Sequence, residues 1–373
     1  MASWTKDNKE SGPRMPGPEV VTWFHDETIF YAHNRQKKGW YHKDASAKPY
    51  TKGEGSSLII ADFVSAKFGW LRSLDGKCSA RQVMKPGKNR DGYFSSEDIC
   101  DQADEAMEIA QQHYPQYEHV FIYDNASTHL KHAPDALSAH RMPKNTPKMG
   151  SNWGVETTKR DPVTGKIKYK TDGSPMKIKV RMANGHFADG TPQPLYFPEG
   201  HERAGVFKGM ATILQEHGFG DMSKVRAECK EFKCAPRATD CCCRRILYNQ
   251  PDFANVPSLL EITCKPRGFK VIFLPKFHCE LNFIEQCWGY AKRLYHLNPE
   301  SSWEDVLQRN ALEALEAIPI DTMQRFANRS SQFMNAYSRG LNGRQAVWAA
   351  RKYRGHRILP ATIMDEVERA HVT

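Results

Sequence analysis

A chain of 373 residues, 40% of them hydrophobic, can bury one large core, or one core plus a sizeable insertion or small second domain. No apolar run approaches the ~20 residues of a membrane span, and the first residues are too polar for a secretory signal. A soluble, intracellular protein with no membrane partner is therefore expected. Lysine and arginine outnumber aspartate and glutamate by 53 to 43, and the resulting charge of +10 favours a polyanionic partner, because neutralised phosphates release condensed counterions.

In chain order, residues 1–18 are polar and rich in proline and glycine and read as a disordered leader. Val20, Val21, Trp23 and Phe24 begin a strand, with Asp26 expected just past its end. Ser57–Ser65 (SLIIADFVS) reads as a buried strand and Phe68–Ser73 as its hairpin partner. Between Ser96 and His113, Ile99, Ala103, Ala106, Met107 and Ala110 recur at helical spacing, with a serine available as N-cap, acids in the first turn and Pro115 as the stop. His119–Tyr123 is a short apolar strand that runs straight into Asp124 and Asn125. The stretch 19–130 thus opens a mixed sheet.

From 131 to 268 proline, glycine, lysine and cysteine become frequent, and the segment reads as an insertion with a hairpin at Thr171-Asp172-Gly173 and a helix from Gly205 to His217. The strand pattern returns at Phe269–Leu274, is closed by Pro275, and is followed by a helix over Glu280–Tyr295, so 269–300 resume the first domain. Residues 301–373 are helical. Their first helix carries Trp303, Leu307, Ala311 and Leu315 on one face, capped by Ser301 or Ser302 and ended by Pro319. The fold class is α/β: a mixed sheet flanked by helices, with a large insertion before the last strand and a helical C-terminal region.

Three acids fall in equivalent places: Asp26 after a first strand, Asp124 after a later one, and Glu285 on the helix that follows the last. Carboxylates on rigid element ends, converging at one edge of a sheet, supply the hard oxygens that hold two Mg²⁺ or Mn²⁺ ions about 3.5–4 Å apart. On the helix Asn282, Glu285 and Gly289 share a stripe beside Leu281, Ile284 and Trp288. Gly289 would leave room above the carboxylate, and Trp288 reads as a core anchor.

The blocks WFHDE, VFIYDNASTH and PKFHCELNFIEQCWGYAK resemble the catalytic blocks of mariner-type DDE superfamily endonucleases, the transposase catalytic domains. That pattern is an Asp-Glu pair after the first strand, Asp-Asn with a nearby His after the fourth, and Leu-Asn-x-Ile-Glu-x-x-Trp on the helix. The third block is the most diagnostic. The resemblance covers 20–130 and 269 to about 357. It implies a ribonuclease H-like sheet, with Asp26, Asp124 and Glu285 as metal-binding catalytic acids and Asn125, His129 and Asn282 at accompanying motif positions. It further implies two Mg²⁺ or Mn²⁺ ions, metal-dependent cleavage and strand transfer of DNA with no covalent enzyme intermediate, a homodimer on DNA, and a nuclear location, or a cytoplasmic one in a prokaryote.

Two departures stand out. The family's second and third acids are separated by a short spacer, whereas Asp124 and Glu285 stand 161 positions apart (285 less 124). The about two dozen residues ahead of Asp26 are too few for the helix-turn-helix module with which relatives read transposon ends, so sequence-specific end recognition is not expected. A domesticated, transposase-derived DNA-binding protein without cleavage is the alternative function.

Residues 141–180 carry ten Lys/Arg against three acids, and KIKYK followed by KIKVR sets alternate cations on one face of a hairpin. Lys159, Arg160, Lys166, Lys168, Lys170, Lys177 and Lys179 are the expected phosphate contacts, with Tyr169 or Trp153 to stack on exposed bases. A solvated hairpin face is the other reading. A second cluster of Arg351, Lys352, Arg354, His356 and Arg357 either tracks a DNA backbone or ends a helix favourably. The ten cysteines of an intracellular chain point to packing or metal ligation before disulfides. Zinc ligands could be drawn from His217, Cys229, Cys234 and one of the triplet Cys241, Cys242 and Cys243, with Cys241 the expected fourth; buried or incidental thiols are the alternative. Cys279 and Cys287 read as packing residues.

Overall fold

The apolar run that opens at Val20 does not stop before Asp26. In the computed structural model, which describes residues 18–33, 42–44, 53–87, 89–151, 153–161, 167–299, 301–354 and 358–372, β1 runs Val20–Tyr31 with Asp26 in its middle. The cause is non-local. Phe24 to Tyr31 pair antiparallel with Val64 to Ser57 of β2 (Ser57–Ser65), and this ladder carries the strand past its two acids. Short β3 (Gly69–Trp70) and β4 (Gln82–Met84) both pair with β2. Of the expected leader only Pro18 falls among the described residues.

The helix α1 (Ser96–His113) forms because its apolar positions recur on one face and its N-terminus is closed locally. Ser95 is the N-cap: its hydroxyl accepts from the Asp98 amide, and the Asp98 carboxylate accepts from the Ser95 amide at 2.7 Å. Ser95→Ala should cost about 1 kcal/mol of unfolding free energy. An unchanged chemical denaturation midpoint would show that the cap contributes nothing. After α1 the chain crosses back to β5 (Glu118–Tyr123), which lies parallel to β1.

Residues 132–258 form a second compact unit with a core of its own, centred on Leu195, Phe207, Met210, Ile213, Leu214 and Leu247. Its strands β6 (Val155–Thr158) and β7 (Lys177–Val180) pair antiparallel around the expected turn, where the Gly173 amide donates to the Lys170 carbonyl. Two further short strands, β8 (Gly185–His186) and β9 (Pro192–Gln193), and three short helices follow: α2 (Met210–Glu216), α3 (Cys243–Tyr248) and α4 (Pro251–Ala254). The α2 helix does not begin at Gly205. The Gly205 and Lys208 amides instead bond to the Phe197 and Leu195 carbonyls, and Gly209, at φ 86°, turns the chain where a Cβ would lie 2.6 Å from the Asn145 carbonyl carbon.

This unit ends at Ser258 rather than at 268. The next helix, α5 (Leu259–Cys264), buries Leu260 and Cys264 in the same core as Ile99, Ala103 and Met107 of α1. After it β10 (Lys270–Phe273) pairs parallel with β5. The first unit is thus an α/β body around one mixed six-stranded sheet, ordered β10-β5-β1-β2-β3 with β4 also on β2. Both faces are covered, as parallel strands require. Val21, Trp23, Phe63 and Phe121 pack against α1 and α5. On the other face Phe24, Phe30, Ile60 and Ile122 share a core with α6 (Ile284–Tyr295) and α7 (Glu304–Glu316), which lie on β1, and with α8 (Ile320–Ser338), α9 (Gly343–Lys352) and α10 (Ile363–Arg369) beyond them.

Two helix starts differ from expectation. Phe277 adopts φ 66° and Cys279–Leu281 form a single 3₁₀ turn, leaving Asn282 extended, so α6 begins at Ile284 and only Glu285 and Gly289 share its stripe. Trp303 is itself the N-cap of α7 and is 75% exposed, outside the face that buries Leu307, Ala311 and Leu315. No helix among the described residues is long and apolar enough to cross a membrane.

Candidate functional site

Parallel pairing of β1 with β5 aligns Phe24 with Ile122. Two residues further along both strands come Asp26 and Asp124, so the register that builds the sheet sets these acids side by side. Asp26 points to the face of Phe24 and Phe30, toward α6, where the Trp288 indole N–H donates to its Oδ2 at 3.1 Å. Trp288 is therefore more than an anchor: it stacks on Trp70 at 5.4 Å and fixes a carboxylate. Glu285, in the first turn of α6, joins Asp124, Asn125 and Asn282 in the lining of a cleft of about 570 Å³. Nothing lies within 4 Å of a Cβ built on Gly289, one turn on, so the space beyond Glu285 is open.

Asp26 is 8% exposed and does not line the cleft, but it responds to both acids that do. Burial, then the charges of Glu285 and Glu27, and to a smaller degree Asp124, raise its pKa well above the usual carboxylate range. Glu285 is also raised, by burial and Asp124, against the opposing pull of Lys292. The oxygens of the three acids do not all fall within 4.8 Å of one another, unlike two tighter groups in the chain. Hard oxygen donors, mutual repulsion that a cation would relieve, and a buried Asn282 Oδ1 with no partner make the residues present fit divalent ions.

Behind Asp124 lies His129, expected at a motif position, whose bonding partners the sequence did not reveal. The His129 ring, 1% exposed, has Nδ1 2.5 Å from Asp124 Oδ1 and Nε2 3.3 Å from Glu27 Oε1. Two carboxylates at its two nitrogens require both N–H groups. Burial alone would lower the imidazole pKa, yet these hydrogen bonds and charges outweigh it and raise it to about 10. The same contacts overcome burial at Asp124 and Glu27 and lower both. His25, two residues before Glu27 on the same face, is lowered to about 4 by burial and hydrogen-bonds through Nε2 to Gln102. The Asn282 amide donates to the His25 carbonyl at 3.0 Å, pinning the segment before α6 to β1.

No family model and no curated relative matches the chain. Among solved structures it is similar to a Mos1 mariner paired-end complex with manganese (18% identity over 29% of this chain and 30% of that one, TM-score 0.23). It is likewise similar to a pre-cleavage Mos1 transpososome (16% identity, 30% and 31% coverage, TM-score 0.22). The chain spans about three tenths of the length of these structures.

Next to the acid-lined cleft, a second of about 540 Å³ is lined by Glu285, Arg329, Phe333 and Val347, and a third of about 430 Å³ by Arg325, Arg329, Phe333, Val347, Arg351 and Arg354. Shared lining residues make the three neighbours: Glu285 borders the first and the second, and Arg329, Phe333 and Val347 border the second and the third. All four arginines are exposed. Arg325 and Arg329, on α8, were not singled out in the sequence. Lys352 does not join them, because its ammonium pairs with Glu366 at 2.7 Å. His356 and Arg357 lie outside the described residues.

The basic ribbon of the second unit is partly neutralised within itself. Lys168 pairs with Asp161 at 3.0 Å, Lys179 stands opposite Glu156, and Lys177 donates to the Thr158 hydroxyl at 3.1 Å. Arg160, Lys170, Lys177 and Lys179 are exposed, Lys159 is half-buried, and Lys166 lies outside the described residues. Tyr169 is 59% exposed, whereas Trp153 packs on Phe207 with ring centroids 3.9 Å apart and is not free to stack on a base. The zinc set expected from His217, Cys229, Cys234 and Cys241 is corrected at one ligand: His217 Nε2 hydrogen-bonds to Gln193 Oε1 at 2.7 Å, and Cys242 stands with the three thiols instead. Cys287 is buried in the core, but Cys279 is exposed and lines the clefts.

Proposed function

We propose that the chain is a metal-dependent DNA endonuclease of the DDE transposase type, built on a ribonuclease H-like sheet. The observation that carries this reading is a row of neighbouring clefts, the first lined by Asp124 and Glu285 and the last by four arginines. A nucleic-acid strand meets both needs at once, since its backbone repeats a charge that arginine binds and a phosphodiester that carboxylate-held cations act on. Asp26, Asp124 and Glu285 would hold two Mg²⁺ or Mn²⁺ ions, which when bound supply Lewis acidity at phosphoryl oxygens.

The remaining work falls to the chain's own side chains. His129, cationic between Asp124 and Glu27, orients Asp124 and keeps it ionised, a carboxylate–imidazole support of the kind that tunes metal ligands. Trp288 fixes the rotamer of Asp26, and the Asn282 contact to β1 sets where α6, and with it Glu285, begins. Arg325, Arg329, Arg351 and Arg354 would position the strand through its phosphates and carry no sequence information.

Cleavage of plasmid DNA with Mg²⁺ or Mn²⁺, against RNA–DNA hybrid as a second substrate, tests the reading. Binding without any cleavage would replace it with a DNA-holding protein, and cleavage confined to the hybrid with a different ribonuclease H-like nuclease. The row of clefts has its own test. Replacing Arg329 and Arg351 together with alanine should weaken binding to all DNA sequences alike and flatten the plot of log affinity against log salt by about 2, at about 0.9 for each phosphate that is no longer neutralised. An unaltered slope would mean that DNA does not follow these clefts.

A further inference from the structure

We propose that Cys229, Cys234, Cys241 and Cys242 form a closed four-thiolate site for a structural zinc ion within the 132–258 unit. Their four sulfurs all lie within 4.8 Å of one another, and Cys229 Sγ is 3.5 Å from Cys241 Sγ. Zinc–sulfur bonds of about 2.3 Å at tetrahedral angles place sulfurs about 3.8 Å apart. A disulfide needs about 2.05 Å, and every cysteine of the chain is free. The spacing therefore suits four ligands around one ion and not two crosslinks.

The surrounding backbone is arranged as such a centre requires. Cys242 is the N-cap of α3, and its Sγ accepts the Arg245 amide N–H at 3.4 Å, which fixes the thiol at the helix start. The loops joining the ligands hold Glu231, Phe232 and Arg237 at φ of 53°, 59° and 64°. Three non-glycine residues in this conformation within seven positions (231 to 237) describe a chain wound tightly around something. Four thiolates on Zn²⁺ leave two net negative charges. Arg245 is placed to answer them: it lines the same pocket as Cys229, Cys234 and Cys242. Cys243, the third of the triplet, is turned away, with Sγ 3.7 Å from the Val225 carbonyl in the unit's core. The ion would staple the 229–242 loop to α3, which seats Ile246 and Leu247 in a core that has only short helices to hold it.

The full chain, purified under reducing conditions without added chelator, should carry about one zinc per molecule by elemental analysis. Cys234→Ser and Cys241→Ser should each lower the content at least tenfold, while His217→Ala and Cys78→Ser retain it. Should the cysteine variants prove insoluble, the wild-type chain stripped of metal and refilled with Co²⁺ decides: it should show intense tetrahedral ligand-field bands and a thiolate-to-cobalt band in the near ultraviolet. Four results would overturn the assignment: a zinc-free wild type with reduced thiols, iron in place of zinc, loss of zinc in His217→Ala, or a cobalt spectrum without the thiolate band.

Discussion

Asp124→Ala should lower metal-dependent cleavage by at least about a thousandfold, the loss of roughly 4 kcal/mol of transition-state stabilisation. Among the three acids Asp124 is the best test of chemistry as opposed to folding. It lies past the end of β5, lines the cleft, and its side chain is 47% exposed, so its removal leaves no cavity in the core. It is also the acid that His129 keeps ionised. DNA affinity, which the proposed arginine contacts would set, should change little, while the denaturation midpoint should fall to the extent that buried His129 loses its Asp124 partner. Steady-state cleavage and binding at one salt concentration would show the separation, and a variant that cuts at the wild-type rate would remove Asp124 from the reaction.

Arg81→Ala should destabilise the fold by about 3–5 kcal/mol, because it strands a buried charge. Asp62, the cross-strand partner of Asp26, is fully buried, and the Arg81 guanidinium, itself only 9% exposed, sits with Nε 2.5 Å from Asp62 Oδ2. Its Nη1 also holds Glu316 of α7 at 2.8 Å. Burial outweighs the arginine and already raises the Asp62 pKa above its usual 3.8, so the folded chain binds this proton more tightly than the unfolded chain does. Without Arg81 the shift grows. The penalty is then absent below the unfolded value and increases as pH rises through the folded one. Denaturant titrations should accordingly show a deficit that is larger at neutral than at acid pH, and replacing both partners with leucine should cost far less than Arg81→Ala. A single-variant loss below about 1 kcal/mol would mean that water reaches Asp62 and the pair is a surface one.

What could be read from the sequence was what short-range chemistry decides. The α1 helix is specified by a period and a capping box that lie within it, and the strand ending at Tyr123 by an apolar run that meets Asp124 immediately. Asp124 and Glu285 could be picked out because each sits at the edge of such an element, whereas Asp26 lies within its strand. Tertiary pairing decided the rest. β1 runs on to Tyr31 only because β2 lies beside it, and no local signal announces a partner 26 to 40 positions away (Tyr31 with Ser57, Phe24 with Val64). The bridge from Asp124 through His129 to Glu27 spans 102 positions, and only the alignment of β1 with β5 brings its ends together. Arg325 and Arg329 are ordinary polar-face residues of a helix until Arg351 and Arg354 line the same cleft. His217 and Cys242 were interchangeable by composition, and what separates them is that Gln193 sits beside the histidine while the turn into α3 presents the thiol to its three neighbours. Period and capping act over one or two turns of chain. Register, and which polar group reaches which partner, emerge only when distant segments compete for the same buried space.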